Sequence, residues 1–129
     1  MATIKSYTDI SQSKTLSKIL PLESADMHYS KDFDGSWFVD LAEYTSVKIP
    51  KYVVNVEEHL LPCWSLAALL KCLSEIKPQV YTPVLFPSEG KWTLQFVEYG
   101  HGNVCEVSCD NPVDACYEMI IRLNELNLL

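Results

Sequence analysis

The sequence predicts a single α+β domain, in which an antiparallel sheet of three to five strands carries about three helices packed on it. Three observations predict this class. Residues 65–76 have the cap and the spacing of a buried helix, residues 80–109 read as three strands joined by short turns, and residues 111–129 have a second helical spacing. Separate blocks of helices and antiparallel strands are typical of α+β folds. A length of 129 residues predicts one domain, with a core that needs neither disulfide nor metal.

The central helix has the clearest local signals. Ser65 is a good N-cap, because its hydroxyl can accept a hydrogen bond from a free backbone N–H of the first turn. The apolar residues that follow recur at spacings of three and four, which places them on one face: Leu66, Leu69, Leu70, Leu73 and Ile76. Pro78 ends the helix, since a proline disfavours helical backbone in the residue before it. We expect a short buried helix with Trp64 fixing its start.

The last third of the chain predicts a meander followed by a helix. Residues 91–98 alternate strictly, and strand candidates at 80–86 and 104–109 flank them across glycine-containing turns. Asn111 is a plausible N-cap and Pro112 occupies the first helical position, where its missing N–H has no consequence. No residue after Pro112 signals a stop before the chain end, so the helix is expected to continue to it.

The first half of the chain gives weaker signals. Residues 1–7 have no period and are expected to form a flexible arm. Thr8 is expected to cap a surface helix that ends at Pro21. Residues 32–35, Asp-Phe-Asp-Gly, suit a tight turn, and residues 36–54 favour irregular β structure.

The charge and the apolar pattern argue against two classes of partner. The net charge is −7 and only ten Lys and Arg are scattered along the chain, so no basic stripe is available for nucleic acid or an anionic membrane. No run approaches the roughly 18 to 20 apolar residues that a membrane helix requires. The first residues lack the pattern of a secretory signal, so a cytoplasmic location is expected.

The five cysteines are expected to be reduced thiols, because their number is odd and no secretory signal precedes them. Cys105 and Cys109 are candidate metal ligands together with His101. On one strand, however, their Cα atoms would lie roughly 13 Å apart, which is too far for one zinc or a disulfide without a bend. Core cysteines that share a face with Val107 are the favoured interpretation, and no metal or other cofactor is predicted.

Cys63 is the candidate nucleophile, because a thiol near a helix N-terminus can have a lowered pKa. His59 is the candidate base, although no spacing identifies it as such. The sequence has no glycine-rich phosphate loop, no His-Glu-x-x-His and no Gly-x-Ser-x-Gly. The absence of a catalytic constellation favours a protein that is not an enzyme.

Aromatic residues supply the candidates for an interaction surface. Three Trp and seven Tyr exceed what a small core requires, and aromatic side chains dominate interface hot spots. The candidates are Trp37, Tyr44, Tyr52 and Tyr99. The alternative interpretation, that they cover the sheet edge and the margins of the core, is favoured about two to one over the first.

Four short segments, residues 12–14, 25–27, 62–70 and 111–115, carry a resemblance to known proteins. In them the chain resembles a family of small proteins of gut Bacteroides-type bacteria and of their phages and prophages, and the similarity spans almost the whole chain. The resemblance implies a bacterial or phage setting in the cytosol. It implies no activity, ligand or catalytic residue, and the shared residues are those assigned above to capping and packing.

The sequence therefore favours a non-enzymatic accessory protein of phage or mobile-element origin that binds another protein. A small enzyme that uses Cys63, or a Cys/His metal site, is the first alternative. A structural protein that self-associates through an exposed face of the last helix is the second.

Overall fold

The described part of the chain contains two three-stranded antiparallel sheets, three helices of seven residues or more and one single-turn helix. The computed structural model describes residues 4–48 and 56–129. These elements confirm the α+β class, with the strands divided between two sheets rather than gathered in one. The chain separates into two compact units, Tyr7–Ala68 and Leu69–Leu129 together with Met1–Ser6.

The elements follow one another in an order close to the predicted one. The helices are α1 (Ile10–Leu16), α2 (Val56–His59), α3 (Leu66–Ser74) and α4 (Pro112–Glu125). The strands are β1 (Met27–Lys31), β2 (Trp37–Asp40), β3 (Leu60–Cys63), β4 (Tyr81–Ser88), β5 (Lys91–Glu98) and β6 (Gly102–Cys109). Short 3₁₀ turns lie at Leu22–Ser24 and Tyr44–Ser46. Residues 49–55, part of the segment predicted to be irregular β, lie outside the described residues.

The sheet of the first unit has the order β2-β1-β3, with both pairs antiparallel. The predicted turn at residues 32–35 joins β1 to β2, and its Gly35 adopts a φ of 87°, which glycine tolerates at no steric cost. One face of the sheet carries the buried core side chains Met27, Tyr29, Leu61 and Cys63. Helix α1 packs against β3.

The predicted cap of the first helix needs correction. The cap of α1 is Asp9, whose carboxylate accepts from the Gln12 N–H at 2.8 Å while the Gln12 side chain accepts from the Asp9 N–H. This reciprocal pair is a capping box, and Thr8 is buried instead. Two contacts fall within the described part of the segment expected to be a flexible arm: Tyr7 forms an antiparallel bridge with Ser65, and the Lys5 ammonium lies 2.8 Å from Asp114.

The start of α3 agrees with its prediction. The Ser65 hydroxyl accepts from the Ala68 N–H at 3.2 Å, which is the expected N-cap bond. Leu69 and Leu73 are fully buried, whereas Ile76 lies beyond the last helical residue. The residues that precede the cap, Leu60–Cys63, form strand β3 at the edge of its sheet, where Pro62 is tolerated.

The sheet of the second unit is the predicted meander, with the order β4-β5-β6. Strand β4 continues through Ser88, which pairs with Lys91, so the turn contains only two residues. These are Glu89 and Gly90, and both have positive φ, as a type I′ hairpin turn requires. The apolar face of β5 contains the fully buried Leu94 and Phe96, and α4 packs on β5 and β6.

Helix α4 begins as predicted and ends earlier than predicted. The Asn111 side chain accepts from the Asp114 N–H at 2.9 Å, so the N-cap is confirmed. At the other end, the Leu128 N–H donates to the Leu123 carbonyl and Asn127 has a φ of 58°. This arrangement is a Schellman motif with asparagine in the left-handed position, and it replaces the chain end as the helix stop.

Candidate functional site

Hydrogen bonds of the first unit converge on Cys63 and Trp64. The buried Thr8 is at their centre: its N–H donates to the Trp64 carbonyl at 3.0 Å, and its hydroxyl accepts from the Trp64 N–H at 3.2 Å. The same hydroxyl lies 2.8 Å from Ser13 Oγ and 3.8 Å from Cys63 Sγ. The Tyr29 hydroxyl donates to the Thr8 carbonyl at 2.7 Å. We refer to Thr8, Ser13, Tyr29, Cys63 and Trp64 as the Thr8 network.

A second set of hydrogen bonds joins Asp26 and Ser24 to the residues that follow the end of β3. One carboxylate oxygen of Asp26 accepts from the Ser65 N–H at 2.9 Å, and the other accepts from the Ser65 hydroxyl. The Trp64 indole N–H donates to Ser24 Oγ at 2.9 Å. Ser65 therefore caps α3 while it is itself held by Asp26. The chain between β3 and α3, which carries the strongest motif of the sequence, is fixed by buried and half-buried polar contacts.

The geometry at Cys63 is that of a structural thiol. Its side chain is fully buried, and desolvation raises the pKa of Cys63 to about 11. The thiol donates to the Thr8 carbonyl at 3.6 Å. His59, the candidate base, is exposed at the last residue of α2. A nucleophilic cysteine needs an accessible thiol of lowered pKa, and Cys63 has neither property.

The raised pKa values predict that stability falls in alkaline solution. Burial raises the pKa of Cys63 to about 11 and that of Cys116 to about 12, from an ordinary value of 9.0. Between pH 9.0 and about 11 the unfolded chain releases protons that the folded chain retains. The stabilising contribution is therefore complete below pH 9.0, and it is lost as the pH rises through about 11 for Cys63 and through about 12 for Cys116.

Urea denaturation followed at pH values from 8 to 11 measures this effect, and we expect the midpoint to decrease steadily above pH 9. The buried Tyr29 hydroxyl, whose pKa is also raised by desolvation, acts in the same direction. The variant with Cys63→Ala and Cys116→Ala is the control, and its decline should be shallower. A wild-type midpoint that is constant to pH 11 would contradict the burial of these thiols.

The candidate metal ligands are placed along one strand. Cys105 and Cys109 lie on β6, opposite Phe96 and Trp92 of β5, so they share the apolar face with Val107 as the sequence indicated. His101 is exposed in the turn before β6. Burial and the negative charges of neighbouring acidic residues raise the pKa of Cys109, which opposes the thiolate that a metal needs. Within residues 4–48 and 56–129 no three His, Cys, Asp or Glu side chains are grouped to hold a metal.

The aromatic interaction candidates that the structure describes lie on separate elements. Trp37 is half-buried against the core of the first sheet, with the Lys31 ammonium 5.6 Å from its ring centroid. Tyr44 is half-buried in a 3₁₀ turn of the same unit. Tyr99 is 56% exposed in the β5–β6 turn of the second unit. Tyr52 lies outside the described residues.

Among the described residues of the first unit, sequence reasoning missed the most exposed apolar side chains. Phe33 is 109% exposed in the β1–β2 turn, Phe38 is 51% exposed on β2, and Leu41 is 80% exposed just after that strand. Phe38 points away from the face on which Trp37 and Val39 pack, because successive side chains of a strand alternate. We call Phe33, Phe38 and Leu41 the hairpin patch. The Asp-Phe-Asp-Gly sequence could have indicated this exposure, because tight turns lie at the surface and this one contains a phenylalanine.

Comparison with protein-family models, with curated proteins and with solved structures finds no match. None of the helices in the described ranges has the length and apolar character needed to cross a membrane.

Proposed function

We propose that the protein is not an enzyme and acts by binding another protein through the hairpin patch. The observation that carries the proposal is the exposure of Phe33, Phe38 and Leu41, between 51% and 109%, within nine successive residues. Burying a phenylalanine or leucine side chain is worth roughly 1.5 to 3 kcal/mol, so three such side chains can anchor an interface. Apolar side chains grouped on the surface of a small protein commonly mark an interaction site.

The nucleophilic site at Cys63 and self-association through α4 are less well supported than binding through the hairpin patch. Cys63 is buried with a raised pKa, which does not favour a nucleophilic site. Self-association through α4 is less favoured, because its outward positions Glu118, Arg122 and Glu125 are charged and most of its apolar residues are buried. Charged residues are depleted from the centres of protein interfaces.

The biological setting is part of the proposal. The resemblance of residues 62–70 and 111–115 to proteins of Bacteroides-type bacteria and their phages supports an accessory protein encoded by a phage or mobile element. The partner would then be a bacterial or phage protein in the cytoplasm. The identity of the neighbouring genes would narrow the choice.

The test compares three forms of the purified protein as bait in lysate of a Bacteroides-type host. One is the wild type, and the second carries Phe33→Ser, Phe38→Thr and Leu41→Ser. The third is a matched control with Val84→Thr, Val104→Thr and Leu126→Gln, which removes three exposed apolar side chains of the second unit. We expect quantitative mass spectrometry to find a partner with the wild type and the control, and at least about tenfold less of it with the patch variant.

Thermal melting of each form shows whether it is folded. The patch substitutions lie on exposed side chains and should change stability little. A partner that is retained by the folded patch variant would refute the role of the hairpin. Failure of the wild type to retain any protein above the level of the patch variant would refute the binding function itself.

A further inference from the structure

Each residue of the hairpin patch has a carboxylate close to it in the chain. Asp32 and Asp34 flank Phe33 in the turn, and Asp40 lies between Phe38 and Leu41 in the sequence. All three carboxylates are exposed. The nearest cation in the sequence is that of Lys31, and its ammonium is placed over the Trp37 ring. Each apolar side chain of the patch therefore lies within two positions of an aspartate in the sequence.

Main-chain hydrogen bonds hold these carboxylates in place. Asp34 accepts from the Ser36 N–H at 2.9 Å, and Asp40 accepts from the Ala42 N–H at 3.2 Å. The bond to Ser36 also keeps the pKa of Asp34 below its ordinary value, so Asp34 is ionised at neutral pH. A carboxylate offers about four lone-pair positions, so one such bond leaves others for a partner. A side chain that is already held loses less rotational freedom when it binds.

We infer that the partner presents an apolar contact bordered by Lys or Arg side chains, which meet Asp34 and Asp40 while its apolar groups cover the hairpin patch. This inference rests on the proposed binding function and adds the chemistry of the partner. Charge complementarity supports it, because opposite charges at an interface speed association and exclude wrong partners. A second copy of the chain is disfavoured as the occupant, since two hairpins would bring like charges together and each copy carries a net charge of −7.

Three soluble peptides in a glycine-serine background test the inference. The first contains phenylalanine and lysine, the second phenylalanine and glutamate, and the third phenylalanine alone. Each is titrated into ¹⁵N-labelled protein, and amide chemical shifts locate its site. We expect the lysine peptide to shift the amides of residues 32–42 and to bind more weakly as salt is added. The combined substitution Asp34→Asn and Asp40→Asn should weaken the binding of the lysine peptide about fivefold.

The control is Glu118→Gln with Glu125→Gln, which changes the net charge equally on exposed positions of α4. Asparagine keeps the oxygen that accepts from the main chain, so the turn should stay folded. If both variants weaken binding of the lysine peptide equally, or if all three peptides shift the amides equally, the partner needs no cations. The hairpin would then remain a binding surface for apolar groups. Shifts confined to other residues, or no shifts with any peptide at millimolar concentration, would refute the hairpin as a binding surface altogether.

Discussion

Replacing Trp64 by alanine should lower the free energy of unfolding by about 3 to 5 kcal/mol, one of the largest single effects in this chain. The indole is fully buried, so truncation removes its transfer free energy and leaves a cavity. The substitution also removes the bond from the indole N–H to Ser24 Oγ at 2.9 Å. Urea denaturation followed by circular dichroism measures the change.

The substitution Trp64→Phe separates the two contributions. It keeps an aromatic ring but loses the donor to Ser24, and we expect it to destabilise by about 1 to 2 kcal/mol. If Trp64→Ala melts at the wild-type temperature, the indole is exposed in solution. The segment between β3 and α3 would then replace the hairpin patch as the leading candidate for a binding surface.

Replacing Thr8 by valine should lower the free energy of unfolding by about 2 to 3 kcal/mol, although the two side chains have nearly the same shape. The Thr8 hydroxyl is fully buried and is the acceptor for the Trp64 N–H at 3.2 Å. Valine removes this hydrogen-bond partner from the Trp64 N–H and from the nearby Ser13 hydroxyl. A buried polar group without a hydrogen bond destabilises the folded state.

Thr15→Val is the matched control for this prediction. Thr15 lies on α1 and its hydroxyl bonds only weakly to the Ser11 carbonyl, at 3.3 Å, so the change should stay within about 0.5 kcal/mol. The double variant with Thr8→Val and Ser13→Ala should be less destabilised than the sum of the single variants, because both remove one shared bond. Additive effects would mean that the two hydroxyls do not interact.

Elements governed by local chemistry could be predicted from the sequence. The Ser65 and Asn111 caps involve residues three positions apart, and the alternation of residues 91–98 is a property of one strand. The Asp9 capping box was equally local, with Gln12 three residues later, but Thr8 is also a common cap and precedes it.

The Thr8 network could not be predicted, because the bonds from Thr8 to Cys63 and Trp64 join residues 55 and 56 positions apart in the chain. Periodicity in the sequence gives no information on contacts between residues so far apart in the chain. The exposure of the hairpin patch depends in the same way on tertiary structure. Trp37 and Phe38 are equally apolar neighbours, and only the pairing of β2 with β1 decides which of them faces the core.

The meander of the second unit has a consequence for the order of folding. Its strands are neighbours in the sequence, joined by the two-residue turn Glu89-Gly90 and by three residues before Gly102. Closing such short loops loses little chain entropy, whereas pairing β1 with β3 must close the chain between Lys31 and Leu60. Since rates fall as contacts become less local, β4, β5 and β6 should assemble before the sheet that carries the hairpin patch. When the complete chain refolds, binding competence would then be acquired last.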